Sequence, residues 1–379
     1  MEVKMGKLKA VIERDIERGL YDGAVTIVAV GGEVVFQEAI GYSNRSSGAP
    51  LRKDSIFPVF SISKSLTAVL MLQRVERGEV RLDTPVSEIL PAFGARGKQR
   101  ATIGQLLCHC AGLPASFPAV APELQGDLDA VVTAICDVGV NTVPGEEVSY
   151  APIMAHAVIA QCVRLLEGGK ARFRDLAKRD LLDPLGMSDT SLGIRRDLVR
   201  RAIVPVKTDD SPGLFDLSGL VGLANMILNP DLDVEIPAGG FVSTAGDIFR
   251  FAEALRQGGR LGDKRILSRP MVEFATRNHT GTKTNNLWNY AREMLNWPAF
   301  PANLGLGFFL RGEGMIPTYC GQLASPSAYG AMGAGTTNYW VDPERDMTMV
   351  CLTTGFLEEA NSAMRFQRLS DTAIAEFSR

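Results

Sequence analysis

The chain has 379 residues, of which 46% are hydrophobic and 22% charged, and a formal net charge of −3 at pH 7. This is the composition of an ordinary globular protein, long enough for one large domain with an inserted lobe or for two domains. There is no global basic field to suggest nucleic acid, no run of 18 uninterrupted apolar residues, and no apolar leader core in residues 1–9. The expectation is a cytoplasmic protein with no membrane or nucleic-acid partner.

In chain order, residues 7–20 have helical periodicity. Residues 24–30 and 33–40 are β-rich and joined by Gly31-Gly32, a hairpin signal. Residues 61–77 predict a long amphipathic helix, with Leu66, Val69, Leu70, Leu72 and Val75 available for its buried side. Helices are then expected over 103–110, 128–137, 154–166 and 173–182, separated by Gly and Pro turns. Thr244 or Ser243 caps a helix over 244–257. Residues 305–310, 338–341 and 347–354 read as strands, the last two turned by Asp342-Pro343-Glu344-Arg345-Asp346, and 361–377 closes the chain as a helix.

Strands at both ends and helices between them imply an α+β fold. One antiparallel sheet built from both termini is flanked by helices, and an all-helical lobe is inserted. The expected division is 1–78 with 232–379 for the sheet domain and 79–231 for the lobe. A site belongs in the cleft between them.

The six cysteines sit in apolar contexts and read as buried free thiols of a reducing compartment. Cys108-His109-Cys110 is not expected to hold a metal, because residues i and i+2 of a helix point apart and no second ligand pair follows. His109 and His156 read as satisfied helix histidines, and His279 as a surface residue. The cluster Arg195-Arg196-Asp197-Leu198-Val199-Arg200-Arg201 reads as a solvated helix face.

Three segments carry candidate chemistry. Ser61 and Lys64 form the chain's Ser-x-x-Lys, one turn apart where an extended segment enters a helix. A serine hydroxyl needs a partner to take its proton, and a lysine of depressed pKa can do so or can tune a second base. The second segment, Pro144-Gly145-Glu146-Glu147-Val148-Ser149-Tyr150-Ala151-Pro152, brings a phenol to the start of a helix. It can act as a base where neighbouring cations lower its pKa. The third, Tyr329-Gly330-Ala331-Met332-Gly333-Ala334-Gly335-Thr336, is a small-residue run that lets a carbonyl approach backbone N–H groups. The aromatic stretch from Trp288 to Phe300 is expected to wall an acyl pocket or to pack an inserted loop. Neither Gly-x-Ser-x-Gly nor His-Glu-x-x-His occurs.

Together these segments resemble the serine β-lactamase and penicillin-binding-protein superfamily, in particular its class C-like esterase branch. The likeness extends to Glu79-Val80-Arg81-Leu82-Asp83-Thr84-Pro85-Val86, Pro184-Leu185-Gly186-Met187-Ser188-Asp189-Thr190, Ala238-Gly239-Gly240-Phe241-Val242-Ser243-Thr244 and Tyr339-Trp340-Val341-Asp342-Pro343-Glu344. The resemblance implies that Ser61 is the acylated nucleophile, Lys64 its partner and Tyr150 the base. It also implies that the N–H groups of Ser61 and Ala334 form the oxyanion hole. Ala331, Met332, Gly333, Pro152 and Trp288 are expected at the substrate, with no metal and no cofactor. Two departures stand out. Pro152 occupies the Asn position of the family's Tyr-x-Asn, and Ala331 the cationic position of Lys-Thr-Gly or His-x-Gly. Loss of that cation points away from a carboxylate-bearing substrate, toward an uncharged ester, thioester or amide of a small molecule. It also leaves Lys64 to keep Tyr150 ionised. Acyl transfer to an alcohol or amine, or a decayed binding protein of the same fold, are the alternatives.

Overall fold

The structure, a computed structural model, describes residues 6–213 and 215–378; residues 1–5, part of the amino-terminal reading, lie outside them. Its centre is a seven-stranded antiparallel sheet. The strands are β1 (Gly23–Val30), β2 (Glu33–Asn44), β3 (Ala49–Pro50), β4 (Phe309–Leu310), β5 (Tyr329–Gly333), β6 (Thr337–Asp342) and β7 (Met347–Thr353), in the spatial order β4-β5-β6-β7-β1-β2-β3. The two termini therefore meet at the β1–β7 pair, with Ala24 opposite Thr353 and Val30 opposite Met347.

Period-two alternation gives this sheet two apolar faces. Ala24 and Val28 of β1, with Met347, Met349 and Cys351 of β7, pack under the terminal helices Lys7–Glu17 and Glu359–Phe377. Val25, Ile27, Val350 and Leu352 face the other way, into the core that holds Phe251 of the helix Ala245–Arg256. Thr244 caps that helix, its hydroxyl accepting from the Asp247 N–H. The α+β architecture expected from the sequence is the one observed.

The helix that begins after Ser61, Ile62–Glu76, differs from its expectation. It is not amphipathic: every residue from Ile62 to Arg74 is buried, so it runs through the core between the sheet and the helix Met154–Leu166. Most of its buried polar side chains reach partners on other segments. Ser63 Oγ accepts from the Phe241 N–H, Thr67 donates to the Pro237 carbonyl, and Gln73 donates to the Asp180 and Ile266 carbonyls. The Arg74 guanidinium meets Asp180 at 2.8 Å and Glu167 at 2.6 Å.

Residues 305–310 also depart from expectation, since only Phe309–Leu310 form a strand. The remainder is a loop pinned to the buried helix: Ser65 donates to the Gly307 carbonyl at 2.9 Å, and the Gly307 N–H donates to Leu107. Gly307 has φ +87°, and a Cβ there would lie 2.2 Å from the Ala68 Cβ. Gly307→Ala is therefore expected to destabilise the protein by more than about 1 kcal/mol, read as a lower urea midpoint. An unchanged midpoint would show that the helix can move away.

In the middle of the chain, Leu128–Cys136 and Met154–Leu166 lie where expected, whereas 173–182 continues through a π turn at Lys178–Leu182 to Leu185. A helix at Leu217–Ile227, capped by Asp216, was not anticipated. Phe57–Pro58 and Ser191–Leu192 both pair with Phe241–Ser243, which ties the segment before Ser61 to the middle of the chain. The arginine cluster is largely ion-paired: Arg195 with Asp197, Arg196 with Asp231, and Arg201 with Asp189. Among the described residues, no helix is long and apolar enough to cross a membrane.

Candidate active site

Phe60, immediately before the nucleophile candidate, has φ +44°, a conformation that bulky residues rarely adopt. It is fully packed, with its ring 5.3 Å from that of Phe356. Packing thus holds a strained turn that presents Ser61 at the head of the buried helix. The turn's backbone bonds run from the N–H groups of Ile62, Ser63 and Lys64 to the carbonyls of Val59, Phe60 and Ser61. The Ser61 N–H lies outside that ladder. Its hydroxyl makes no capping bond either.

Instead, Ser61 Oγ accepts from Lys64 Nζ at 2.9 Å and from the Tyr150 hydroxyl at 3.0 Å. A hydroxyl, an amine and a phenol, 89 residues apart at the extremes, converge on one oxygen. Lys64 is 4% exposed and also donates to the Ala238 carbonyl at 2.8 Å. Burial lowers its pKa to about 7. Tyr150 is equally buried, and burial pushes its pKa up to about 12, partly offset by the hydrogen bond to Ser61. Burial acts against the expectation that Lys64 keeps Tyr150 ionised. Lys64 Nζ sits 5.2 Å over the face of the Tyr150 ring and bonds to Ser61 and Ala238 rather than to the phenol oxygen. Burial thus favours the neutral form of both side chains.

Two residues whose roles the sequence did not disclose hold Tyr150 in place. His109 was expected on a helix, but that helix ends at Leu107 and His109 takes φ +57°. This turns its ring against Tyr150, with centroids 4.5 Å apart. Its carbonyl accepts from the Ser149 N–H and its Nδ1 from the Ala151 N–H, so both neighbours of Tyr150 are tied to one residue. Nδ1 as acceptor assigns the proton to Nε2, and burial, with Lys64 nearby, lowers the ring's pKa to about 3. Asn286 closes the clamp: its Oδ1 accepts from the Tyr150 N–H at 2.9 Å and its amide donates to Ser149. His109→Leu removes the ring acceptor, and is expected to lower kcat about tenfold with KM little changed, because Tyr150 loses its orientation. A steady-state comparison checks this, and an unaltered kcat would make His109 mere packing.

Two small cavities meet at Ser61. An inner chamber of about 10 Å³, room for one water molecule, is bounded by Ser61, Lys64, His109, His156 and Ala331. His156 is not a satisfied helix histidine: neither ring nitrogen meets a partner among the described residues. The outer cavity, about 40 Å³, is walled by Ser61, Tyr150, Trp288, Met332, Ala334 and Glu359, with Phe309 and Tyr319 contributing rings. Trp288 is therefore a wall residue, whereas Trp297 and Phe300 stack behind it. Ala334 lies in the β5–β6 turn with φ +34°. Gly333 and Pro152, expected at the substrate, line neither cavity. A Cβ on Gly333 would stand 2.3 Å from the Val59 carbonyl oxygen, so this glycine seats β5 against the Ser61 turn. Pro152 is buried in the turn after Tyr150. His279 lies elsewhere, bonded to the Phe274 carbonyl. Among the described residues no group of three His, Cys, Asp or Glu side chains could hold a metal.

Residues 8–373 match the family model described as Beta-lactamase. The chain is 26% identical over 347 residues to "Esterase/beta-lactamase LipL" of Mycobacterium tuberculosis, covering 86% of this chain and 75% of that one. It is 33% identical over 168 residues to "Penicillin-binding protein 4" of Amycolatopsis lactamdurans, spanning 44% of this chain and less than half, 43%, of that relative. Among solved structures, a penicillin-binding-protein homologue from Caulobacter crescentus superposes with a TM-score of 0.80 at 22% identity, over 98% of this chain and 96% of that one.

Proposed function

The chain belongs to the beta-lactamase family, and from that premise we propose that it hydrolyses an uncharged small-molecule ester through an acyl-enzyme on Ser61. The observation that carries the reading is the convergence of Lys64 Nζ and the Tyr150 hydroxyl on Ser61 Oγ, at 2.9 and 3.0 Å. Lys64 as a neutral amine accepts the Ser61 proton while Oγ attacks the carbonyl carbon. The N–H groups of Ser61 and Ala334 hold the resulting oxyanion. The Tyr150 hydroxyl gives its proton to the leaving alkoxide, which departs as an alcohol, and the phenolate recovers a proton from the Lys64 ammonium through a water that enters the cleft. Water enters, gives its proton to Lys64 and attacks the acyl carbon, and Ser61 regains its proton as the carboxylic acid leaves.

The walls support an uncharged substrate. Among the described residues lining the two cavities Lys64 is the one Lys or Arg, and it is committed to Ser61 and Ala238. Incubation with a fluorophosphonate probe followed by intact-mass measurement tests the reading, alongside release of p-nitrophenol from a short-chain ester. One adduct per chain and steady p-nitrophenol release are expected; neither adduct nor release, where a related esterase gives both, would leave a binding protein.

A further inference from the structure

The outer cavity, at about 40 Å³, holds only the reacting end of an ester. Phe215 belongs to its wall and also to the wall of a second, far larger cavity of about 580 Å³. That volume falls within the roughly 300–1,000 Å³ typical of small-molecule sites. Val120, Val131, Ile153, Leu223, Met226 and Ile236 supply apolar wall, and among the described residues no cation or histidine joins them. The acid present, Asp216, is engaged in capping Leu217–Ile227, its carboxylate accepting from the Ser218 and Gly219 N–H groups. Two of these wall positions are close in chain to the reacting groups. Ile153 follows Tyr150 by three residues, and Ile236 precedes by two the Ala238 whose carbonyl takes the Lys64 amine.

The floor of this groove is the helix Leu217–Ile227, where Gly219 and Gly222 face the cavity. Neither glycine has a positive φ, so backbone freedom does not explain them. A glycine inside a helix costs about 1 kcal/mol relative to alanine. A Cβ at Gly222 would meet nothing within 4 Å, so the missing side chain leaves open space rather than relieving a clash. We infer that this groove binds the hydrocarbon tail of the acyl group, which makes esters of medium- to long-chain carboxylic acids the preferred substrates. The inference rests on the proposed hydrolase reading. The acyl group, not the alcohol, is the occupant, because the alcohol must clear the outer cavity before water can reach the acyl-enzyme. A tail anchored beyond Phe215 leaves that route open.

The test is a series of p-nitrophenyl esters from acetate to decanoate, run on the wild type and on Gly222→Trp. In the wild type kcat/KM is expected to rise about fourfold for each methylene that enters the groove, and at least a hundredfold in all. Gly222→Trp fills the groove, and tryptophan is the better helix former. The acetate value should stay unchanged while the decanoate value falls to meet it; Gly222→Leu should give an intermediate loss. Binding of decanamide against acetamide to Ser61→Ala provides a readout independent of turnover, with decanamide bound more tightly and weakened at least tenfold by adding Gly222→Trp. A flat or falling acyl series overturns the inference. So does a chain-length dependence that follows the alcohol in alkyl acetates, or a Gly222→Trp enzyme that loses all esters equally. Should no ester turn over while decanamide binding still depends on Gly222, the groove stands and the hydrolase reading falls.

Discussion

Ser61→Ala is expected to lower ester hydrolysis by roughly 10⁴-fold or more and to abolish the covalent adduct. The argument is geometric. Ser61 Oγ makes no capping bond to its helix and is the shared acceptor of Lys64 and Tyr150, so its role lies in the cleft rather than in the fold. Removing it leaves Lys64 bonded to the Ala238 carbonyl and leaves Tyr150 held by the Asn286 bond to its backbone and by the His109 ring. Ser61 and Tyr150 both line the outer cavity, where a water can take the place of Oγ beside the freed phenol, and the loss of stability should stay within about 1 kcal/mol. A folded Ser61→Ala protein that still forms the adduct would place the nucleophile elsewhere, and the acyl-enzyme scheme would fall with it.

Much of this site was legible because its chemistry lies in residue types at short spacing. Ser61 and Lys64 are one helical turn apart, and Tyr150 stands at the head of a helix whose bounds, Met154–Leu166, periodicity fixes. The β1–β2 hairpin, the β6–β7 turn and the closing helix follow from local patterns in the same way. What the sequence concealed depends on distant chain. The all-round burial of residues 62–74 is set by the loop at Gly307 and the Asp180 segment, more than a hundred residues downstream. Asn286 reaches Tyr150 across 136 residues with nothing nearby to mark it. His109 looked helical because the apolar run 103–110 keeps its period, yet its left-handed backbone is what sets the ring beneath Tyr150. Phe60, His109 and Ala334, three non-glycine residues of positive φ, all border the site. Such strain has no residue-type signature and becomes visible only in the folded chain. Burial, which raises the Tyr150 pKa, is likewise a property of the whole fold rather than of the local sequence.

Tyr150→Phe is expected to lower kcat by roughly 10²- to 10³-fold, the range for losing one proton-transfer group, and its pH profile discriminates between two bases. With Lys64 as the proton acceptor, kcat/KM rises through pH about 7, because the protonated amine must first lose its proton. With a Tyr150 phenolate as the base, the rise would be governed by a group near 12. Phenylalanine keeps the ring that stacks on His109 and lies near Phe309, so clamp and wall survive the change. Burial alone depresses Lys64, hence the midpoint near 7 should persist in the variant while the plateau drops. A midpoint that leaves neutrality once the phenol is gone would tie that titration to Tyr150, and an undiminished plateau would take Tyr150 out of the proton path. The steep cost expected at constant midpoint follows from the geometry: the phenol donates to Ser61 Oγ and stands at the wall of the outer cavity, where the leaving group must collect its proton.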